Sequence, residues 1–114
     1  MNWKKIFKEG KELVLATCSK DGRPNANIAI SHGFVDDKLL IADCQMETTI
    51  KNLRETKKIC VIAKYYRLKG SVEIHSSGKY FDLCVQTTKE YPVKNAVVVN
   101  VEEVFDLDKL KRIL

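Results

Sequence analysis

The chain alternates short apolar runs with turn-forming segments, and the spacing of these runs predicts six strands. Continuous apolar runs at 39–43 and 59–63 predict buried strands, the second with both faces covered. From 65 to 75, apolar and polar residues alternate, which indicates a strand with one face in the core and His75 on the solvated face. The same pattern predicts the remaining strands, at 13–18, 25–31 and 96–104.

A polar helix is predicted at 47–56, directly after the third strand. Thr48 and Thr49 fall in its first turn, where backbone amides lack partners within the helix, and either hydroxyl could cap it. Free amides and the helix dipole favour an anion at this end, and Lys51 adds a full charge one turn later. The helix start therefore predicts a phosphate site, with an ordinary capped surface helix as the alternative.

Two further helices and a terminal turn complete the pattern. Asn2 can cap a short N-terminal helix, and 76–78 opens a helix near the last strand. Asp108 is predicted to cap a turn over 109–114. Six hairpin-linked strands with so few helices imply an antiparallel sheet that must curl or close. Three residues of the helix after 76–78 are predicted to face the core, Phe81, Cys84 and Val85.

The length and composition of the chain indicate one small domain that can bury a hydrophobic core. The chain has 114 residues, 45% of them hydrophobic, and no apolar run approaches the roughly 20 residues of a membrane span. The N-terminus has a basic start without the apolar stretch and cleavage site of a signal peptide, so we expect a cytoplasmic protein. The net charge of +5 suits an anionic small molecule and does not require nucleic acid.

The cysteines give no sign of a metal or redox motif. No two of the four are close in sequence, so neither CxxC chemistry nor a zinc knuckle is indicated. Each lies in or beside an apolar segment, which predicts buried, reduced thiols that react slowly. The residues concerned are Cys18, Cys44, Cys60 and Cys84.

Two other features of the sequence are candidates for function outside the helix start: a histidine and a segment of alternating aromatic and basic residues. His32 lies where a strand exits, and we interpret it as a surface or edge histidine, since no nucleophile motif accompanies it. The segment 64–69 interleaves aromatic and basic residues, as surfaces that stack nucleotide bases do. An OB-like nucleic-acid-binding barrel therefore stays open as an alternative.

The ordered set of segments resembles a known family. It comprises the turn at 21–24, a strand containing Asn27, a strand ending at 42–43, the helix start at 48–53 and the buried run at 59–61. Together they resemble the pyridoxamine 5′-phosphate oxidase-like, FMN-binding split barrels, and among these the small bacterial FMN-binding proteins. The resemblance covers about residues 10 to 105.

This resemblance implies a fold, a cofactor and a partner. The implied fold is mainly β with short helices, a six-stranded antiparallel split β-barrel of Greek-key type. The implied assembly is a homodimer with one FMN in each of two interface clefts, where Tyr91 or Pro92 lies near the position of a partner aromatic. The implied function is a flavin-dependent oxidoreductase or electron carrier with an unknown redox partner. Alternatives are a deazaflavin or haem protein, a flavin store, or the nucleic-acid barrel.

The resemblance also implies which residues hold FMN. Many members carry Ser/Thr-Arg-Lys where this chain has Glu47-Thr48-Thr49, so one cation fewer predicts weaker phosphate binding. A pyridoxamine phosphate oxidase proper would carry an arginine-rich C-terminal segment, which we do not expect of a chain ending in 108–114. The implied phosphate ligands are Thr48, Thr49, Lys51 and Asn52. The implied ring contacts are Asn27, Ile28, Ala29, Ala42 and Asp43.

Overall fold

Six antiparallel strands close into a barrel in a computed structural model that describes residues 3–114, so the predicted cap Asn2 lies outside the described residues. In chain order the elements are a 3-10 helix (Trp3–Phe7), β1 (Glu12–Cys18), β2 (Pro24–Val35), β3 (Lys38–Asp43), α1 (Glu47–Thr56), β4 (Lys58–Ala63), β5 (Tyr66–His75), α2 (Lys79–Thr87), β6 (Asn95–Asp106) and β7 (Lys111–Arg112). The strand order in the barrel is β3-β2-β1-β4-β5-β6, and β3 pairs with β6 to complete the ring. This confirms the predicted six-stranded antiparallel split barrel.

The barrel interior is filled by alternate residues of each strand. Leu15 of β1 lies opposite Val61 of β4, which lies opposite Leu68 of β5, and all three are fully buried. Helix α1 packs Ile50 and Leu53, three residues apart on one face, onto this core. Burying a side chain of this size contributes about 1.5–3 kcal/mol, so α1 is held to the barrel mainly by this face.

Helix α2 covers the outer face of β3 and β6, which are therefore buried on both sides. Leu40 and Val98 are paired across these strands and pack with Cys84 of α2. The outer face of β4 has no such cover, and Cys60 and Ile62 are only half-buried. The prediction that 59–63 is buried on both faces was wrong because an apolar run does not show which strand a helix covers.

Several predicted burials and caps differ in the structure. Cys84 is fully buried and Phe81 packs beside it, but Val85, one residue further around α2, is 46% exposed. All four thiols are free, but Cys18 is exposed at the end of β1, and Cys44 and Cys60 are half-buried. The prediction that all four cysteines are buried was therefore wrong. The apolar neighbours of these cysteines face the opposite side of the chain, since strand side chains alternate between faces.

The C-terminal segment forms a turn and a two-residue strand rather than a turn capped by Asp108. The carboxylate of Asp106 accepts hydrogen bonds from the backbone N–H groups of residues 108 and 109. Strand β7 then pairs with β6, which explains why the segment does not coil into a helical turn. Among residues 3–114, no helix is long and apolar enough to cross a membrane.

Candidate functional site at the start of helix α1

Asp43 ties together three chain segments where β3 ends and α1 begins. Its side chain is 2% exposed, and its Oδ1 accepts a hydrogen bond of 2.8 Å from the backbone N–H of Met46. Its Oδ2 accepts a second bond of 2.8 Å from the side-chain amide of Asn95, at the start of β6. Because both carboxylate oxygens are occupied, Asp43 positions the start of α1 rather than offering a free acid to a ligand.

The hydroxyl of Thr49 bonds to strand β2 and does not cap its own helix. Thr49 Oγ1 donates to Asn27 Oδ1 at 2.5 Å and accepts from Asn25 Nδ2 at 3.1 Å. The helix N-cap is Met46, without a side-chain cap bond, so the prediction that Thr48 or Thr49 caps α1 was wrong. The physical reason is that Thr49 faces β2, whose two asparagines offer its hydroxyl both a donor and an acceptor.

The first-turn amides of α1 remain available at this end of the barrel. The first i→i−4 bond of the helix runs from Ile50 N–H to the carbonyl of Met46, so the amides of Thr48 and Thr49 precede it. The amide of Glu47 is engaged by Gln45. Two backbone donors and the positive end of the helix dipole thus face the same region as the Asn25–Asn27–Thr49 cluster.

A cavity of about 560 Å³ opens in front of this helix start. This volume lies within the range of about 300–1,000 Å³ for small-molecule and cofactor sites. The wall combines neutral hydrogen-bonding groups with apolar surface, a lining that suits a flat ligand carrying polar edges. Its lining residues are Asn25, Asn27, Cys44, Gln45, Met46, Glu47, Thr48, Thr49, Pro92 and Lys94. We call it the helix-start cavity.

A second cavity of about 370 Å³ adjoins it along the side of α1. The two cavities share the turn residues before and at the helix start, together with Lys94. The second cavity also contains Lys51 and Arg54, on the exposed side of the helix. Because it gathers three cations, we call it the cationic cavity. Its lining residues are Asp43, Gln45, Met46, Glu47, Ile50, Lys51, Arg54, Lys94 and Asn95.

Burial determines the protonation state of Cys44, the one thiol that lines the helix-start cavity. Cys44 is half-buried beside Asp43. Burial raises the pKa of the Cys44 thiol, and the adjacent negative charge of Asp43 raises it further. Cys44 is therefore a protonated, poorly nucleophilic wall residue at neutral pH, not a reactive thiolate.

The structure brings some of the predicted phosphate ligands together and separates others. Thr48 and Thr49 line the helix-start cavity, while Lys51 lines the cationic cavity one turn along α1. Asn52 is buried and donates its amide to the hydroxyl of Thr17 at 3.1 Å. That bond directs Asn52 toward the barrel wall, away from both cavities.

The predicted ring contacts are spread over four regions: the helix-start cavity, the barrel core, the outer face of the sheet and the cationic cavity. Asn27 lines the helix-start cavity, whereas Ala29, two residues along β2, packs against the barrel core. Ile28 points to the outer face of the sheet and is 66% exposed. Ala42 packs under α2 on the outer face of β3, and Asp43 contributes to the cationic cavity.

Sequence reasoning missed several cavity residues. Asn25 shares the strand face of Asn27, and the two-residue period of a strand could have identified it. Lys94 carries no local signal, because its place depends on the pairing of β3 with β6. Pro92 lines the cavity of its own chain, although the resemblance assigns this region to the partner subunit; Tyr91 is exposed.

The segment predicted as a possible base-stacking surface does not form one. Tyr66 is 7% exposed and belongs to the barrel core, which leaves Tyr65 as the exposed aromatic of this stretch. Arg67 lies over the ring of Phe105 on the neighbouring strand. A base-stacking platform needs adjacent exposed rings, so 64–69 gives no support to nucleic-acid binding.

Sequence comparison relates the chain to one protein family. The family model for pyridoxamine 5′-phosphate oxidase matches residues 2–108. An uncharacterized protein of Methanocaldococcus jannaschii is 30% identical over 111 residues, which cover 87% of this chain and 74% of that protein. The match therefore spans nearly all of the described barrel and both cavities.

Solved structures share the fold at low sequence identity. HupZ of Group A Streptococcus aligns with a TM-score of 0.80 at 19% identity, covering 97% of this chain and 95% of HupZ. An FMN-binding protein of Syntrophomonas wolfei subsp. wolfei aligns with a TM-score of 0.64 at 22% identity, covering 82% of this chain and 74% of that one. At these identities the likeness establishes the barrel and its topology alone.

Proposed function

The chain belongs to the pyridoxamine 5′-phosphate oxidase family, and from that premise we propose that it is an FMN-binding flavoprotein. We propose that it works as a flavin-dependent oxidoreductase or electron carrier. The observation that carries the proposal is the helix-start cavity, where two free amides of α1 and the side chains of Asn25 and Asn27 surround a space large enough for a flavin. The FMN-binding protein of Syntrophomonas wolfei, which shares the fold, supports the same reading.

The donor set of the helix-start cavity fits a flavin. A flavin ring presents carbonyl and ring-nitrogen groups along one edge and apolar surface on its faces, so it needs both neutral hydrogen-bonding partners and apolar walls. Gln45 and Thr48 offer the first, and Met46 and Pro92 offer the second. When bound, FMN would supply electron transfer, while these residues would orient the ring and tune its electronics.

Titration of the protein with FMN tests this function. We expect a saturable change in flavin fluorescence at one FMN per chain, because a ring enclosed by the cavity leaves bulk water. Riboflavin is the natural control, since it carries the same ring without phosphate. A protein that leaves the fluorescence of FMN, riboflavin and a deazaflavin unchanged contradicts the proposal. Tight, salt-dependent binding of an oligonucleotide instead would favour the nucleic-acid alternative.

We further propose that the protein is a cytoplasmic homodimer, with the second copy covering an apolar row on the outer barrel face. Val14 lies opposite Ile28 on one side and Ile62 on the other. Val14 is 39% exposed and Ile28 is 66% exposed, while Ile30 nearby is 49% exposed. A contiguous apolar row of this kind is typical of a protein interface. Free thiols at all four cysteines accord with the reducing cytoplasm.

Lys51→Ala is expected to weaken FMN binding by about 1.5–3 kcal/mol, the range for a charge-assisted hydrogen bond. Lys51 is exposed in the cationic cavity, one turn from the residues shared with the helix-start cavity. Riboflavin affinity should change by less than about 0.5 kcal/mol, as for a typical surface substitution. Equal losses for the two flavins would show damage to the cleft instead of lost phosphate recognition.

A further inference from the structure

The two cavities distribute their charges unevenly. In the helix-start cavity, Lys94 is the one basic residue among the described lining, and its other hydrogen-bonding groups are neutral apart from Glu47. In the cationic cavity, Lys94 is joined by Lys51 and Arg54. Lys94 is thus the one cation that borders both spaces.

The backbone of Lys94 is fixed although its side chain is free. Its N–H donates to the carbonyl of Asp43 at 2.8 Å, and the next residue, Asn95, is buried and bonded to the Asp43 carboxylate. Two residues earlier, Pro92 restricts the approaching chain. Within residues 3–114, no ion pair joins Lys94, Lys51 or Arg54 to a carboxylate, so their charges are available to a ligand.

The position of each cation relative to the shared edge differs. Glu47 borders both cavities at the first turn of α1. Lys51 is four residues further along the helix, a rise of about 6 Å, and Arg54 is seven residues further, a rise of about 10 Å. Lys94 lies on the shared edge itself, on the segment that leads into β6. Of the three cations, Lys94 alone borders both cavities, whereas Lys51 and Arg54 border only the cationic cavity.

Two carboxylates border the cationic cavity, so a phosphate bound there would need positive charge nearby. Asp43 and Glu47 both border the cationic cavity, and a phosphate group would add further negative charge. The Asp43 carboxylate is partly offset by its bonds to Met46 and Asn95, whereas Glu47 is exposed at the mouth. Since the helix start carries threonines at 48 and 49, a phosphate at the shared edge depends on cations that come from elsewhere in the chain.

We propose that Lys94 is the residue that makes this site select a phosphorylated flavin over the same ring without phosphate. The proposal rests on the proposed flavin function and adds its specificity-determining contact. Lys94 would hold the phosphate at the edge that the two cavities share, and Lys51 would add a second positive charge from the cationic cavity. The flavin ring would then lie in the helix-start cavity, whose lining includes neither Lys51 nor Arg54.

The test compares FMN and riboflavin affinities in three purified variants of the full chain. Lys94→Ala should raise the Kd for FMN by about 10- to 100-fold, the range that a charge-assisted hydrogen bond spans, and change the Kd for riboflavin by less than about twofold. Lys94→Arg should keep most of the preference for FMN. Lys109→Ala is the matched control, because Lys109 is an exposed lysine of the C-terminal turn that lines neither cavity, and the substitution should change either Kd by less than about twofold.

The possible results distinguish a failure of the proposed role of Lys94 from a failure of the proposed flavin function. If the wild-type protein binds neither flavin, the proposed function fails and the role of Lys94 fails with it. If the wild type binds both flavins equally, or Lys94→Ala keeps the wild-type preference for FMN, the role of Lys94 alone is overturned. Equal losses for FMN and riboflavin in Lys94→Ala, or a loss in Lys109→Ala as large as in Lys94→Ala, would also overturn it.

Discussion

Gly70→Ala is expected to lower the free energy of unfolding by about 3 kcal/mol, the upper end of the cost of overpacking a core. Strands β5 and β6 approach so closely here that an added Cβ would lie 2.2 Å from the backbone oxygen of Asn100. It would also lie 3.2 Å from Cγ1 of Val99. A backbone carbonyl cannot rotate away as a side chain can, so β6 itself must move and its pairing with β5 must distort.

Thermal unfolding followed by circular dichroism measures this effect. For a domain of this size a loss of about 3 kcal/mol lowers Tm by more than about 10 °C. Gly22→Ala is the matched control: Gly22 has a φ of +92° but no atom within 4 Å of the added Cβ. The Gly22→Ala substitution should lower the free energy of unfolding by only about 1–2 kcal/mol, the cost of a left-handed backbone at a residue that carries a side chain. A Gly70→Ala protein that melts at or above the temperature of Gly22→Ala would contradict the close strand approach.

Ile28→Glu is expected to convert the protein to a monomer. Ile28 is 66% exposed within one chain, so the substitution costs the isolated subunit little. In the proposed dimer the new carboxylate would be buried without a partner against the apolar row, at a cost of about 3–5 kcal/mol. That cost corresponds to a rise of more than about 100-fold in the dimer dissociation constant.

Light scattering or sedimentation over a range of protein concentrations measures this shift. Val85→Glu is the matched control, because Val85 is also an exposed β-branched apolar residue, 46% accessible, but lies on α2 and outside the row. We expect the Val85→Glu protein to stay dimeric. A wild-type protein that is monomeric at all concentrations, or an Ile28→Glu protein that dimerises like wild type, would exclude this face as the interface.

Local sequence patterns predicted most of the fold because they report local physics. The strand before the helix was predicted at 39–43 and is β3 (Lys38–Asp43), and the helix predicted at 47–56 is α1 (Glu47–Thr56). Apolar periodicity and turn residues determine such elements through nearest neighbours. Outer-face burial could not be predicted in the same way, since it depends on α2 lying over β3 and β6 instead of β4.

The candidate site was less predictable because distant segments complete it. Thr49 was expected to cap α1, but two asparagines brought near by β2 engage its hydroxyl instead. Lys94 reaches the site only because β6 pairs with β3, a contact between residues more than fifty positions apart in sequence, as in the Asp43–Asn95 pair. No local motif encodes such a pairing, so the cation that borders both cavities could not be found from the sequence.

The visible absorption spectrum of the purified protein, with mass identification of any small molecule released on denaturation, decides whether this protein binds FMN. We expect a flavin spectrum, from bound cofactor or after FMN is added and excess is removed, and a released species with the mass of FMN. A colourless protein that stays colourless after incubation with FMN would contradict FMN binding, and so would a released chromophore that is not a flavin.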